Sequence, residues 1–257
     1  MIYKLTTLYV ILHSLSPCDT ATLYDHSSAT PLVLLDDLTH PITVSQPIII
    51  HGGGYSTFYV SDNGMITFDN SFLGTSWPLN VPWIAPFGAD ITAGDLKSQT
   101  INDPTSQVII TTNSLVNDVY PDDSFLATEI TVVSWLDVQR FSLSGGSEVN
   151  SFQLVLATDT TKSYAIFLYE NIEWYPPDVI GISSGDPGHN YMLCNTDKSG
   201  MLLLPYQSNF QCSASPGVIV LRIDTPSWTQ VFPCINLYTP IECLPSSGVR
   251  DRCTVRR

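Results

Sequence analysis

Along most of the chain, apolar and β-branched residues come in short runs that alternate with polar positions and stop at turn residues. Phe58-Tyr59-Val60-Ser61 and Met65-Ile66-Thr67-Phe68 flank Asp62-Asn63-Gly64. This predicts a hairpin in which Asn-Gly supplies the positive φ angles of a tight primed turn. Residues 128–135 are rich in β-branched side chains and predict a strand. In residues 151–157, Phe152, Leu154 and Leu156 alternate with Gln153 and Val155, the pattern of a strand with one buried face. Asp159-Thr160-Thr161-Lys162 links that run to residues 164–169 as a second hairpin, and residues 218–223 make a late strand.

Helical periodicity is scarce. Its best stretch is 114–120, where Leu115 and Val119 stand i, i+4 and Ser114 is placed to cap the start. Eighteen prolines and fifteen glycines punctuate most of the remainder, and no repeat of fixed period is visible. Many short strands between turns predict an all-β fold, an antiparallel β-sandwich-like domain with little helix. After Thr225 the character changes: Pro226, Pro233, Pro240 and Pro245 interrupt every run. The expected organisation is a signal peptide over 1–18, a β domain over 19–224 and a short Cys/Pro-rich appendage, or the stub of a further module, over 225–257.

The 257 residues are 44% hydrophobic and 13% charged, with a net charge of −14. That composition supports a packed core and excludes a disordered acidic tail. Arg250, Arg252, Arg256 and Arg257 crowd the end, so residues 1–249 hold 6 basic against 23 acidic groups. Such a body repels phosphate backbones, which excludes nucleic acid as a partner and disfavours anionic membranes. The first residues place Lys4 before an apolar stretch at 5–15 and small residues at 14–18, the order of a secretory signal and too short to span a bilayer. Cys18, Cys194, Cys212, Cys234, Cys243 and Cys253 contain no C-x-x-C pair, so an oxidising compartment accounts for them better than zinc or thioredoxin chemistry. Cys194, Cys212, Cys234, Cys243 and Cys253 are the disulfide candidates. Their pairing is left open by the spacing, although a Cys194–Cys212 bridge would contribute about 3 kcal/mol.

Two short motifs point to an esterase. His51-Gly52-Gly53-Gly54 matches an oxyanion loop, and Gly181-Ile182-Ser183-Ser184-Gly185 matches the elbow that presents a nucleophilic serine. Their context speaks against the match. Asp186-Pro187-Gly188 stops the helix that must follow the elbow, and the one histidine after Ser183 is His189, six residues on. Two glycine-rich turns in a β domain are the plainer expectation, with no catalytic residue. Asp118, Asp122 and Asp123 could offer oxygens to calcium but lack the spacing of a calcium loop, and a solvated acidic loop is the expectation there. No cofactor is expected, and every Asn-x-Ser/Thr pattern is absent, so N-glycosylation is not expected.

Taken in order, these segments resemble the nidogen-like (NIDO) domain, the extracellular module of nidogen, alpha-tectorin and mucin-4-like proteins. Residues 54–68 resemble its hairpin pattern Y-x-x-x-Y-V-x-x-N-G-x-I-x-F. Trp83-Ile84-Ala85-Pro86-Phe87-Gly88-Ala89-Asp90 resembles its I-A-P-F-W-A-D block, with Gly88 where the family usually carries tryptophan. Residues 132–138, 150–159, 164–174 and 180–186 follow as further blocks, the last accounting for the elbow-like glycines. The resemblance implies a secreted, non-catalytic module for cell–matrix adhesion or matrix architecture. Its implied partners are extracellular matrix or cell-surface proteins, without membrane insertion. Esterase and calcium-dependent binding module remain the alternatives. Trp83, Trp135 and Trp174 are expected in the core.

Overall fold

The computed structural model describes residues 21–35, 37–68, 80–141, 146–175, 177–186, 190–192 and 217–225. The signal segment, all six cysteines, His189 and residues 226–257 lie outside the described residues. The chain builds strands β1 (Thr30–Leu32), β2 (Thr39–Ile50), β3 (Gly53–Ser61), β4 (Met65–Thr67), β5 (Trp83–Gly88) and β6 (Ile91–Ile101). Helix α1 (Gln107–Val119) and a 3-10 turn (Pro121–Asp123) come next. Then follow β7 (Glu129–Arg140), β8 (Asn150–Thr158), β9 (Ser163–Ile172), β10 (Val179–Ser183), β11 (Asn190–Met192) and β12 (Val218–Arg222).

Two six-stranded sheets form, in the orders β1-β6-β7-β8-β9-β12 and β11-β10-β5-β4-β3-β2. Every described pairing is antiparallel. Phe58, Val60, Ile66, Ile84 and Phe87 of one sheet meet Trp135, Phe152, Leu154 and Phe167 of the other, as inward-facing alternate residues of a sandwich do. The expected fold class is therefore the observed one, and the predicted tryptophans are buried. The indole N–H of Trp135 donates to the Ser61 carbonyl at 3.1 Å and that of Trp174 to the Val138 carbonyl at 2.8 Å.

Strand β8 departs from the one-faced expectation, since all nine of its residues are buried. The outer face of its sheet carries a second apolar cluster, in which Val132, Val155 and Ile166 pack under Ile109 and Val116 of α1 and under Ala21 and Leu23. Gln153 belongs to that covered face. Its side-chain amide accepts from the Tyr24 N–H at 2.8 Å and donates to the Tyr24 carbonyl at 2.9 Å, so it stands in for a strand backbone. The helix also starts earlier than expected, at Gln107, with Ser106 at the cap position and Ser114 in its interior. Ile109, Thr112 and Val116 are its buried stripe. No described helix is long and apolar enough to cross a membrane.

The 58–68 hairpin forms, but its loop has three residues, because Ser61 pairs with Met65. Of the three only Gly64 has positive φ, at 71°, which fits a bulged three-residue loop better than a primed two-residue turn. A Cβ at Gly64 would lie 2.0 Å from the Phe87 carbonyl oxygen.

Side chains bond to the backbone of two edge strands, β12 and β2. The Tyr120 hydroxyl donates to the Val220 carbonyl at 3.4 Å and accepts from the Arg222 N–H at 3.3 Å, taking the place of a strand beyond β12. On β2 the register shifts between Thr43 and Ile48. There the Glu129 carboxylate, 2% exposed, accepts from the backbone N–H of Ser45 and Gln46 and from the Ser45 hydroxyl. Further along β2, the Ile49 N–H donates to Ser163 Oγ at 2.9 Å, and the Pro47 carbonyl accepts from Thr158 at 3.1 Å. The second half of β2 is thus stitched across the ends of β7, β8 and β9, which joins the two sheets.

Candidate functional site

The esterase motifs do not assemble. His51 and Gly52, with φ of 50° and 83°, are the turn between β2 and β3, and Gly53 and Gly54 already pair with Ile50 and Ile49. Ser183 ends β10, is 1% exposed, and its hydroxyl accepts from the Gly185 N–H at 3.0 Å. Strands β5, β4 and β3 separate β10 from β2 in the same sheet. The glycine at 185 has a packing reason: with φ at 86°, a Cβ there would lie 2.8 Å from the Val81 carbonyl carbon. A buried strand serine far from the glycine turn offers no nucleophile to an oxyanion loop.

The acidic loop is built differently from a calcium site. Asp118 on α1 and Asp122 in the 3-10 turn are exposed, while Asp123 turns inward. Its carboxylate lies 2.9 Å from the Arg222 guanidinium and 3.5 Å from Lys162 Nζ, and it accepts a hydrogen bond from the Tyr164 hydroxyl. Arg222 also reaches Asp224 at 3.0 Å. Burial works against the Asp123 charge, but the Tyr164 hydroxyl, Arg222 and Lys162 outweigh it and hold its carboxyl below the usual range. Burial and the Asp123 hydrogen bond push the Tyr164 hydroxyl far up, so it remains a donor. Among the described residues no group of three His, Cys, Asp or Glu is placed to hold a metal ion. The partners of Asp123 are the protein's own cations and the Tyr164 hydroxyl.

Lys162, Arg222 and Asp224 were not singled out by the sequence reasoning. Arg222 and Asp123 stand 99 residues apart, and the one hint was an Arg-x-Asp at the end of the last strand in a chain poor in cations.

A second polar constellation fills the β3–β4 corner. Asp62 is 0% and Asn63 2% exposed. The Asp62 carboxylate accepts from the Leu38 N–H at 3.0 Å, and the Asp62 N–H donates to the Leu38 carbonyl at 3.1 Å. The Asn63 amide donates to the Asp37 carboxylate at 2.9 Å and accepts from the Ile91 N–H at 3.0 Å. Burial pushes the Asp62 carboxyl up to about 6, and the Asp37 carboxylate adds to the rise against the pull of the Leu38 and Asn63 N–H groups and the Ser61 hydroxyl. Nearby, Gly88 leaves no room for a side chain. A Cβ there would lie 2.8 Å from Val179 Cγ1, so Val179 fills the space beside the strand.

The family model of the nidogen-like domain matches residues 56–225. Alpha-tectorin of Gallus gallus is 33% identical over 159 residues, 59% of this chain and 7% of the tectorin. Mucin-4 of Mus musculus is 30% identical over 156 residues, 51% of this chain and 4% of the mucin. Nidogen-2 of Mus musculus is 28% identical over 149 residues, 52% of this chain and 10% of the nidogen. The chain thus spans a small part of each of these relatives, among which the nidogens and tectorins are extracellular matrix proteins. No solved structure matches it. The match runs from within β3 through β12 and includes the corner, the Trp135 strand and the Arg222 strand, and on that ground the chain belongs to the nidogen-like domain family.

Proposed function

We propose that this chain is a secreted, non-catalytic module of the extracellular matrix that binds other extracellular proteins, in adhesion or in matrix architecture. The observation that carries the reading is the nidogen-like match over residues 56–225. It is supported by a sandwich in which the serine, glycine and acidic motifs all serve packing and hydrogen bonding. The same reading takes residues 1–18 as signal peptide, 19–224 as the β domain and 225–257 as an appendage, with cystines among Cys194, Cys212, Cys234, Cys243 and Cys253. The test is to express the chain in a secreting cell and measure retention of the secreted protein on a panel of immobilised extracellular matrix proteins. Saturable, salt-tolerant binding to one of them is expected. Secretion without binding to any would overturn the partner-binding role, and retention inside the cell would overturn the localisation. A serine-directed phosphonate is expected to leave Ser183 unlabelled, and labelling lost in Ser183→Ala would restore the esterase.

A further inference from the structure

The β3–β4 corner sets separate requirements on two neighbouring residues. Position 64 calls for glycine, because its φ is 71° and a Cβ there would meet the Phe87 carbonyl oxygen at 2.0 Å. Position 63 calls for a donor and an acceptor on one short side chain. The Asn63 amide nitrogen donates to the Asp37 carboxylate at 2.9 Å, and its oxygen accepts from the Ile91 N–H at 3.0 Å. An amide does both, whereas an ionised aspartate has acceptors alone. Together the two requirements write Asn-Gly, and residues 63–64 are the one such pair in the sequence.

Asn-Gly carries its own reactivity. The backbone nitrogen of Gly64 can bond to Asn63 Cγ and close a five-membered ring, with no side chain on the glycine to obstruct it. In that step the nitrogen gives up its proton, the Cγ–Nδ2 bond breaks, and the amide leaves as ammonia. Water then opens the succinimide at either carbonyl, giving aspartate or an isoaspartate whose chain runs through the side-chain carbon. The balance is one water consumed and one ammonia released, and a neutral amide becomes a carboxylate.

The folded corner opposes every part of this. Ring closure requires the Asn63 side chain to rotate toward the Gly64 nitrogen, which breaks its bonds to Asp37 and Ile91. The backbone is held as well: the Asn63 N–H donates to Ser61 Oγ at 3.1 Å, and its carbonyl accepts from the Ala89 N–H at 3.1 Å. Asn63 is 2% exposed, so hydrolytic water is kept away. The product does not suit the site either. A carboxylate at 63 would face Asp37 in place of a hydrogen bond, beside the fully buried Asp62. An isoaspartate would lengthen the backbone of a turn that has no slack at Gly64.

We infer that Asn63 is a self-modification site that folding closes: the shut corner protects the amide, the opened corner deamidates through Gly64, and a deamidated chain no longer rebuilds the corner. Opening, otherwise reversible, then leaves a permanent chemical mark and becomes an irreversible loss of the native chain. The inference stands apart from the function proposed above, since no partner enters it.

The intact chain tests it, incubated at neutral pH either folded or in guanidinium chloride and digested at intervals. The mass of the peptide holding residue 63 reports the change from amide to acid. Deamidation there should be at least about tenfold slower in the folded chain. On dilution from denaturant, chains modified at 63 should be depleted from the refolded fraction and enriched in the remainder. Asp37→Gly, which removes the acceptor and suits the left-handed φ of 60° at that position, should speed deamidation of the folded chain several-fold. Equal rates in folded and denatured wild type would overturn the inference. So would modified chains that refold in proportion to their share of the denatured pool. An unchanged folded rate in Asp37→Gly would overturn the grip on the amide as the source of protection, and should that variant not fold, the two wild-type measurements decide alone.

Discussion

Asp123 and Asp62 are both carboxylates turned inward from turns, and the fold treats them in opposite ways. Asp123 sits at the rim with Arg222, Lys162 and the Tyr164 hydroxyl around it. Asp62 sits in the interior with backbone N–H groups and a second carboxylate. The rim environment favours the ionised form and the corner environment the neutral one, so the two sites give stability opposite dependences on pH. For Asp123 the folded carboxyl lies below its unfolded value. Its contribution is present above the unfolded pKa of about 3.9 and is lost as pH falls through the folded value. For Asp62 the folded carboxyl is raised to about 6. Its contribution is fully present below about 3.9 and is lost as pH rises through 6. At Asp123 the partners supplied by distant strands outweigh burial, and at Asp62 the N–H groups and the Ser61 hydroxyl do not.

The most damaging way to break the comparison is to destroy the corner. Gly64→Ala forces a left-handed alanine and sets its Cβ 2.0 Å from the Phe87 carbonyl oxygen. The two effects together should remove about 4 kcal/mol, read from the urea midpoint. The counterpart at the rim is Ser124, also left-handed with φ of 49° but exposed, where Ser124→Ala should change stability by less than about 1 kcal/mol. Similar losses at the two positions would mean that the corner is no more constrained than the rim.

Removing the cation from the rim comes next. Arg222→Met leaves Asp123 and Asp224 without their shared guanidinium and should lower stability by about 2 kcal/mol near pH 7. The loss should shrink on acidification, because the Asp123 contribution disappears from the wild type as well. A deficit that stayed constant down to about pH 3 would assign the effect to lost packing of the arginine stem and not to charge.

Asp62→Asn sharpens the other side. The amide mimics the protonated acid, so the variant should match the wild type near pH 4 and exceed it by about 1–2 kcal/mol near pH 8. Chemical denaturation across that range then separates the two limbs. Asp62→Asn erases the decline toward neutral pH and keeps the acid limb, while Arg222→Met does the reverse. A wild-type profile flat between pH 4 and 8 would contradict the corner assignment.

The sequence disclosed these two sites unequally, for reasons of distance. Alternating runs and turn residues made β3, β4, β7, β8, β9 and β12 legible, because hairpin pairing is local. The Asp62-Asn63-Gly64 turn was visible too, but only as a tight primed turn. Its burial depends on Leu38, Phe87 and Ile91, which belong to the β1–β2 loop, β5 and β6. Gln153 misled for the same reason: a polar residue between Phe152 and Leu154 signals a solvent face unless something distant satisfies it, and Tyr24 is 129 positions away. Helix α1 was read seven residues short, since Thr111, Thr112, Asn113 and Ser114 dilute its propensity. A start signal was present in Asp103-Pro104-Thr105-Ser106, where the Asp103 carboxylate accepts from the Thr105 N–H at 2.9 Å. The packing reason for Gly185 of the elbow-like motif is Val81, which no local pattern discloses.

The smallest expected effect lies in the turn that delivers Lys162 to the rim. Asp159 organises that turn by accepting from the Thr161 and Lys162 N–H groups at 2.8 and 2.6 Å, and Thr160 is left with φ of 77°. A β-branched residue is poorly suited to that region, and asparagine enters it readily. Thr160→Asn should therefore stabilise the protein by about 0.5–1 kcal/mol, measured as a rise in the urea midpoint at unchanged slope. The double variant with Arg222→Met tells whether the turn and the rim are one unit. If Thr160 is held left-handed by its own loop, the two changes add within about 0.5 kcal/mol. If the pull of Asp123 on Lys162 sets the turn, the gain from asparagine should change once Arg222 no longer shares that carboxylate, because Lys162 then becomes its main cation. Additivity would confine the electrostatic difference between rim and corner to the side chains. Coupling would extend it into the backbone of the β8–β9 turn.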